Sequence, residues 1–224
     1  MSSSSQGTAR SRRPRGSLTA EGILDAAERV AAEGFEALTV RAVASELRAS
    51  TMALYRYFAT KDDLVDSLLD RVLGRFESTS PTDDWLEDLR RFAREHRRIL
   101  QQHPWAITAL FAHPTPGLNA VRIGEQALRV LHRGGITGEY AVATFSGILS
   151  LNYGWSAFTA ARDGLRTQRG DQQPTLPEAL GALPPDQYPL TVEVAESMGN
   201  YGSDTHYELA LHQLLAGIQA AART

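Results

Sequence analysis

The segment Thr51–Phe58 carries side chains that could bind nucleic acid beside side chains that could pack in a core. If the segment is helical, Leu54 and Phe58 lie four residues apart and can both point inward. The other prominent side chains then project outward from the front of the helix: Thr51, Met52, Tyr55, Arg56 and Tyr57. Tyrosine hydroxyls and an arginine guanidinium form hydrogen bonds to phosphate oxygens and base edges. The pattern therefore favours a nucleic-acid-binding helix.

Basic residues are concentrated at the N-terminus. Residues 1–61 carry nine Arg and Lys against six Asp and Glu, whereas residues 62–224 carry fourteen against twenty. A basic front end on an acidic body indicates an anionic partner at that end. Residues 1–17 include Arg10, Arg12, Arg13 and Arg15 and are expected to form a flexible arm. Arg13 and Arg15 are candidate DNA contacts, although composition alone fits a solvated disordered tail equally well.

Helix starts flank the candidate binding helix. Thr19, Thr39, Ser50 and Thr60 each precede an amphipathic run, the position where a hydroxyl can cap a helix. They predict helices over about 19–33, 39–47 and 51–58 and a fourth from 61. The short turn 48–50 joins the second helix to the third. Residues 18–64 therefore predict a helix-turn-helix domain, although spacing alone also fits an ordinary helical hairpin.

The order and spacing of the residues in this region resemble those of the TetR/AcrR family of transcriptional regulators. The matching positions run through Leu18-Thr19, Ile23-Leu24, Ala26-Ala27, Gly34-Phe35, Leu38-Thr39-Val40-Arg41, Val43-Ala44, Leu47, Leu54-Tyr55-Arg56-Tyr57-Phe58 and Lys61-Asp62-Asp63-Leu64. The resemblance implies that the third helix enters the major groove of DNA. It places Thr51, Met52, Tyr55, Arg56 and Tyr57 at the groove, and implies a base or phosphate contact for Arg41.

Two basic residues at the ends of the binding helix are further candidates for DNA contact. The resemblance implies that Lys61, at the start of the fourth helix, holds the DNA backbone, where free N–H groups also favour phosphate. The family usually has glycine where Arg48 stands here. Glycine is common in such a turn because it adopts positive φ without strain. Either this turn has relaxed to negative φ, or the strain is kept because Arg48 reaches a phosphate.

The remainder of the chain predicts an all-α second domain over residues 65–224. Helical spacing indicates helices near 61–77, 83–101, 104–112, 117–133, 137–164, 188–199 and 204–222. The glycines and prolines of residues 165–187 predict a flexible loop there. By resemblance this domain binds a small molecule and dimerises. The resemblance also implies that the helices near 137–164 and 204–222 form a four-helix interface in a homodimer.

Five aromatic residues and one asparagine of the second domain are candidates for lining a ligand pocket: Trp105, Phe111, Phe145, Asn152, Trp155 and Phe158. Phe145, Asn152 and Trp155 are spaced by seven and three and share a face of one predicted helix. They indicate an aromatic or hydrophobic effector of unknown identity. The alternative for each of them is a plain position in the core.

Several other classes of protein find little support. The chain has no cysteine, and no two of its histidines have the i, i+4 spacing of a preformed metal site, so we expect no metal and no cofactor. Neither a phosphate-binding glycine loop nor a nucleophile elbow is present, which argues against an enzyme. There is no secretory signal and no apolar run of membrane-spanning length, so a cytoplasmic protein without membrane contact is expected.

The combined expectation is a ligand-responsive repressor. It would bind a palindromic operator in double-stranded DNA as a homodimer and be released by a small molecule. Three alternatives stay open at this point: a transcriptional activator, a DNA-binding protein without a ligand, and, least supported, a helical-domain enzyme.

Overall fold

The protein is an all-α structure, as the sequence predicts. The computed structural model describes residues 18–113, 117–168 and 174–222, and no strand occurs within those ranges. The basic arm, with Arg13 and Arg15, lies outside them. The helices are α1 Ala20–Ala31, α2 Val40–Glu46, α3 Thr51–Leu54, α4 Lys61–Leu73, α5 Trp85–Gln102, α6 Trp105–Ala112, α7 Leu118–Arg133, α8 Gly138–Gln168, α9 Leu176–Gly181, α10 Pro189–Glu193 and α11 Asp204–Ala221.

Side-chain caps start each of the first four helices where the sequence predicts them. Thr19 accepts a hydrogen bond from the Gly22 amide at 3.0 Å, and Thr39 and Ser50 cap α2 and α3 in the same way. Thr60 and Asp63 form a reciprocal capping box at the start of α4. Each cap satisfies an amide that has no partner inside its own helix.

Helices α1 to α3 share a small core that none of them could form alone. Its members are almost fully buried: Ile23, Ala27, Leu38, Val43 and Leu54, with Phe58 at its edge. Short helices are marginal in water, so this shared burial stabilises α2 and α3. The predicted helix-turn-helix is therefore present.

Helix α3 is shorter than the spacing predicts, because it ends at Leu54 and not at Phe58. The Leu54 carbonyl accepts from both the Tyr57 amide at 2.9 Å and the Phe58 amide at 3.1 Å. The bond from Tyr57 spans three residues and not four, so the last turn is tighter than an α-helical turn. Phe58 nevertheless stays buried, so the inward and outward faces match the prediction.

Helix α4 contributes to two parts of the core. Leu64, Val65 and Leu68 are buried, and α4 packs against α1 on one side and against α6 and α7 on the other. Ion pairs reinforce the contact with α1. Arg71 binds Asp25 at 2.5 Å, and Arg75, just beyond the end of α4, binds both carboxylate oxygens of Glu28 at 2.6 and 2.7 Å.

Helices α5 to α8 and α11 form the second half of the molecule and begin and end close to their predicted positions. Their buried apolar residues join those of α1 to α4 in one continuous core. No helix in the described part of the chain has an apolar stretch long enough to cross a membrane.

The segment expected to be a loop over 165–187 contains helix. Helix α8 continues through Gln168, and Leu176–Gly181 forms α9, while residues 169–173 lie outside the described residues. Thr175 and Glu178 form a capping box for α9, and a proline in the first helical turn is tolerated because its missing N–H would be unpaired anyway. The helix predicted over 188–199 is divided into α10 and a 3₁₀ turn, Ser197–Asn200.

Arg48 adopts the left-handed conformation that the family's usual glycine would allow. Its φ is 52°, and it is the one non-glycine residue with positive φ in the ranges that the structure covers. The Arg48 amide bonds the Ser45 carbonyl at 3.0 Å, and the Ala49 amide bonds the Ala44 carbonyl at 2.9 Å. These two bonds form the Schellman pattern that ends a helix. The turn has therefore kept its geometry, and the explanation of a relaxed turn at negative φ is wrong.

We predict that Arg48→Gly raises the free energy of unfolding by about 0.5–1 kcal/mol, because removing the Cβ relieves strain that exceeds the entropic cost of glycine. Arg48→Ala is the matched control, since it removes the guanidinium but keeps the strained Cβ. Urea denaturation of both variants measures the difference. A glycine variant no more stable than the alanine variant would show that the turn stores no strain.

Candidate nucleic-acid interface and internal cavity

The outward face of α3 presents side chains that are free to contact another molecule. Met52 is 71% exposed and Tyr55 is 44% exposed, and Arg56 is exposed beside them. Thr51 is half-buried at the start of the helix. Because Leu54 anchors the opposite face in the core, the orientation of these side chains is fixed by packing.

Tyr57 differs from the other predicted contacts, because its hydroxyl already has a partner. It donates a hydrogen bond to the carbonyl oxygen of Leu18. Leu18 is the first described residue and directly follows the basic arm. Tyr57 therefore ties the start of α1 to the end of α3.

Three arginines near α3 form no ion pair with any described residue: Arg41, Arg48 and Arg56, all of them exposed. Their neighbours behave differently. Arg29, for example, pairs with Glu46 at 2.8 Å. Lys61, at the first turn of α4, is exposed and lies 5.4 Å from the centre of the Phe35 ring. Cations without an internal partner can neutralise phosphates, so this face is suited to DNA.

A cavity of about 300 Å³ lies in the second half of the molecule, between α4 and α8. Its lining is mostly apolar with a few polar groups, which is the usual composition of a small-molecule site. Two of the predicted ligand residues line it, Phe111 and Phe145. The other lining residues are Asp66, Leu69, Asp70, Leu73, His96, Leu110, His113, Gly117, Ala120, Ile123, Leu149 and Tyr153.

The remaining predicted ligand residues lie elsewhere, so the structure does not bring the six together. Trp105 is buried beside His103 at a hollow between α1 and α4. Trp155 and Phe158 line a separate hollow of about 170 Å³ against Tyr201. At 100° per residue, Trp155 is rotated by about 80° from Phe145, which is enough to face α11 and not the cavity.

Asn152 is fully buried behind the cavity wall and its side chain is fully hydrogen-bonded. Its Oδ1 accepts from the Tyr207 hydroxyl at 2.8 Å. Its Nδ2 lies 2.9 Å from the Ala93 carbonyl oxygen and 3.0 Å from Nδ1 of His96. The group joins α5, α8 and α11, and its cavity-lining member is His96. Burial lowers the pKa of His96 to about 4, so the ring is neutral at pH 7.

Sequence reasoning overlooked His96, Tyr153 and the Tyr207 hydroxyl. A signal was present for His96, because Leu89, Phe92, His96 and Leu100 repeat at helical spacing along α5. A histidine on such a buried stripe must be neutral or paired. The partners Asn152 and Tyr207 come from distant segments, so no local pattern could have indicated them.

Acidic side chains at the cavity are already paired. Asp66 lies 2.9 Å from Nδ1 of His113, and Asp70 accepts hydrogen bonds from the backbone and side-chain nitrogens of Asn119 at 2.7 and 3.0 Å. No cluster of three or more His, Cys, Asp or Glu able to hold a metal ion occurs in the described ranges.

The structure combines a helix-turn-helix, whose exposed Arg41, Arg48 and Arg56 form no ion pair with any described residue, with a helical domain that contains a mostly apolar cavity. This is the architecture of a DNA-binding regulator. The chain belongs to the TetR family of bacterial transcriptional regulators. Residues 23–68 match the model for bacterial regulatory proteins of the tetR family. Residues 78–222 match the model for the tetracyclin repressor-like C-terminal domain.

Relatives and solved structures agree with this assignment. The HTH-type transcriptional repressor DrrR1 of Streptomyces coeruleorubidus is 30% identical over 223 residues, covering 93% of this chain and 80% of DrrR1. Apo ActR of Streptomyces coelicolor has a TM-score of 0.79 at 28% identity, covering 92% of this chain and 96% of ActR. ActR in complex with actinorhodin has a TM-score of 0.78 at 26% identity, covering 92% of this chain and 98% of ActR. The family and these names are those of regulators and not of enzymes.

We predict that Arg41→Ala and Arg56→Ala each weaken binding to a random-sequence DNA duplex. Each should also make the plot of log affinity against log salt shallower by about 0.9 per lost phosphate contact. Arg129→Ala is the matched control, because Arg129 is 77% exposed but lies on α7, away from α3. Fluorescence anisotropy at several salt concentrations measures the slopes. If Arg41→Ala and Arg56→Ala both keep the wild-type slope, these two arginines do not contact phosphate.

Proposed function

We propose that this protein is a ligand-responsive repressor that binds a palindromic operator as a homodimer and is released by a small molecule. The observation that carries the proposal is the exposed face of α3 on a TetR-family fold, with nearby arginines that form no ion pair with any described residue. Thr51, Met52, Tyr55 and Arg56 would face the major groove, where Tyr55 and Arg56 can reach base edges or phosphates. Arg41, Arg48, Lys61 and the arm residues Arg13 and Arg15 would bind phosphates. Such a protein would act on the chromosome in the bacterial cytoplasm.

Dimerisation is supported by a stripe of small residues along α8. The stripe consists of Ala143, Gly147, Ser150, Gly154, Ala157 and Ala161, spaced alternately by four and three residues. This is the heptad spacing with which one helix packs against another. A Cβ added at Gly147, Gly154 or Gly217 would meet nothing within 4 Å, so the protomer itself leaves this space open. We propose that α8 and α11 of a second copy fill it.

Release by a ligand is supported by the cavity and by its position against α4. Leu69, Asp70 and Leu73 of α4 line the cavity, while Leu64 and Val65 of the same helix are buried towards its N-terminal end. ActR has been crystallised with actinorhodin. An occupant of the cavity would shift α4 and with it the helix-turn-helix. By linkage, DNA and ligand would lower each other's affinity by the same factor.

Selection of bound sequences from a pool of random DNA duplexes tests the proposal. We expect the enriched sequences to contain an inverted repeat whose half-site centres are about one helical turn, 34–36 Å, apart. Two-fold symmetry of the protein requires two-fold symmetry of the site. Enrichment of a single, non-repeated motif would contradict the dimer, and enrichment of no motif would contradict operator recognition.

The variant Gly147→Glu tests whether the palindrome depends on the α8 stripe. The new side chain has room in the protomer but would place a charge in the proposed interface, so light scattering should show a monomer. Its selected DNA should lose the inverted repeat. Arg129→Glu introduces the same side chain on exposed α7 and should leave both dimer and palindrome unchanged. A dimeric Gly147→Glu variant would place the interface elsewhere.

A further inference from the structure

We propose that the cavity selects neutral, flat aromatic molecules that carry a carbonyl oxygen, and that His96 donates the hydrogen bond which recognises that oxygen. The inference rests on the proposed function, because it specifies the chemical class of the effector. It depends on three features of the cavity: the orientation of a buried amide, the aromatic side chains around His96 and the charges that are absent from the lining.

The orientation of the Asn152 amide follows from its neighbours. The Ala93 carbonyl oxygen can only accept a hydrogen bond, so the atom facing it at 2.9 Å must be the amide nitrogen. The oxygen of the amide then faces the Tyr207 hydroxyl at 2.8 Å, which can donate to it. The reverse orientation would bring two acceptors together at Ala93. All three groups are buried, where an unmatched polar pair is costly.

The orientation of Asn152 in turn fixes the proton on His96. The Asn152 nitrogen has two hydrogens, and the second one points towards Nδ1 of His96 at 3.0 Å. Nδ1 must therefore accept, so it carries no hydrogen. A neutral imidazole without a proton on Nδ1 carries it on Nε2. His96 lines the cavity, and its Nε2 forms no hydrogen bond with any residue that the structure describes. The cavity thus offers an N–H donor that requires an acceptor.

Aromatic rings surround this donor. Tyr153 meets the His96 ring edge to face, with 5.4 Å between centroids, and Phe111 meets Tyr153 in the same way at 5.5 Å. Phe145 also lines the cavity. Flat rings pack well against such side chains in stacked or edge-on contacts. A cavity of about 300 Å³ accommodates a molecule of two or three fused rings.

The charges at the cavity disfavour an anion as the acceptor. Asp66 and Asp70 lie in the lining, whereas no arginine or lysine does among the described residues. A ligand carboxylate would be repelled by these two carboxylates and would find no arginine or lysine there. Asp66 and Asp70 are paired with His113 and Asn119, so they do not require a cationic ligand either. A neutral carbonyl oxygen satisfies His96 without introducing charge.

Binding of 9-fluorenone and fluorene tests the proposal. The two molecules share a three-ring skeleton and differ by one carbonyl oxygen. We expect the wild-type protein to bind fluorenone at least ten-fold more tightly, because fluorene leaves the His96 N–H without a partner. His96→Phe keeps an aromatic ring of similar size, and the ratio of the two affinities should fall to about one. Tryptophan fluorescence titration measures both affinities, and thermal denaturation checks that the variant is folded.

Three results would overturn the proposal: equal affinities in the wild type, a preference for fluorenone that persists in His96→Phe, or no binding of either molecule. The last result would leave palindromic DNA selection intact, so failure of this inference is distinguishable from failure of operator binding. Conversely, fluorenone binding without any change in operator affinity would support the ligand class and contradict the release of DNA.

A second measurement reads the protonation of the two His96 ring nitrogens directly. In ¹⁵N NMR spectra at pH 7, His96 should show an unprotonated Nδ1 and a protonated Nε2, with signals assigned by their loss in His96→Phe. Tyr207→Phe should keep the same tautomer, because the Ala93 carbonyl still orients the Asn152 amide. A wild-type His96 protonated on Nδ1, or averaged between both tautomers, would contradict the assigned donor.

Discussion

Helix α4 belongs to two packed regions at once, and this constraint links the other features of the structure. Leu64, Val65 and Leu68 are buried near its start, and Leu69 and Leu73 form part of the cavity wall near its end. A helix of this length is about 20 Å long and moves largely as a rigid element. Protein cores are close-packed, so a displacement at one end must be accommodated at the other. Under the proposed function, this shared helix transmits occupation of the cavity to α3.

Polar contacts at the end of α4 strengthen the link between the cavity and the helix-turn-helix. Arg75 binds Glu28 of α1 through two hydrogen bonds and also lies 3.0 Å from Nε2 of His103, between α5 and α6. The hydrogen bonds from Arg75 lower the pKa of Glu28, which therefore stays ionised at neutral pH. Helix α1 carries the core on which α2 and α3 rest. The DNA-binding half is thus joined to the cavity half by packing and by charge.

Much of the fold could be predicted from local sequence signals, because caps and amphipathic spacing act over a few residues. Thr19, Thr39 and Ser50 cap helices where their spacing predicts it. The glycine and proline content of 165–187 was misleading, since the Thr175 capping box can start a helix despite a neighbouring proline. The outward face of α3 was also predictable, because only Leu54 and Phe58 had to be buried.

The cavity was harder to predict, because its walls combine residues from five helices. Phe145 and Phe111 line it, but Trp155 faces α11, since ten residues along a helix do not return to the same face. Asn152, another candidate for the ligand pocket, is buried but does not line the cavity. Its consequence for binding, the proton on His96, depends on the Ala93 carbonyl, which lies 59 residues from Asn152 in the chain.

The distance between spin labels on the two DNA-binding halves of the proposed dimer tests the central claim, that filling the cavity repositions the helix-turn-helix through α4. The chain has no cysteine, so Glu36→Cys, an exposed site on the DNA-binding half, can be labelled alone. Pulsed electron–electron double resonance of the operator complex should give one narrow distance distribution. Saturation with 9-fluorenone should shift its centre and broaden it. A distribution that stays unchanged while fluorenone is bound would show that α4 does not couple the cavity to the DNA-binding surface.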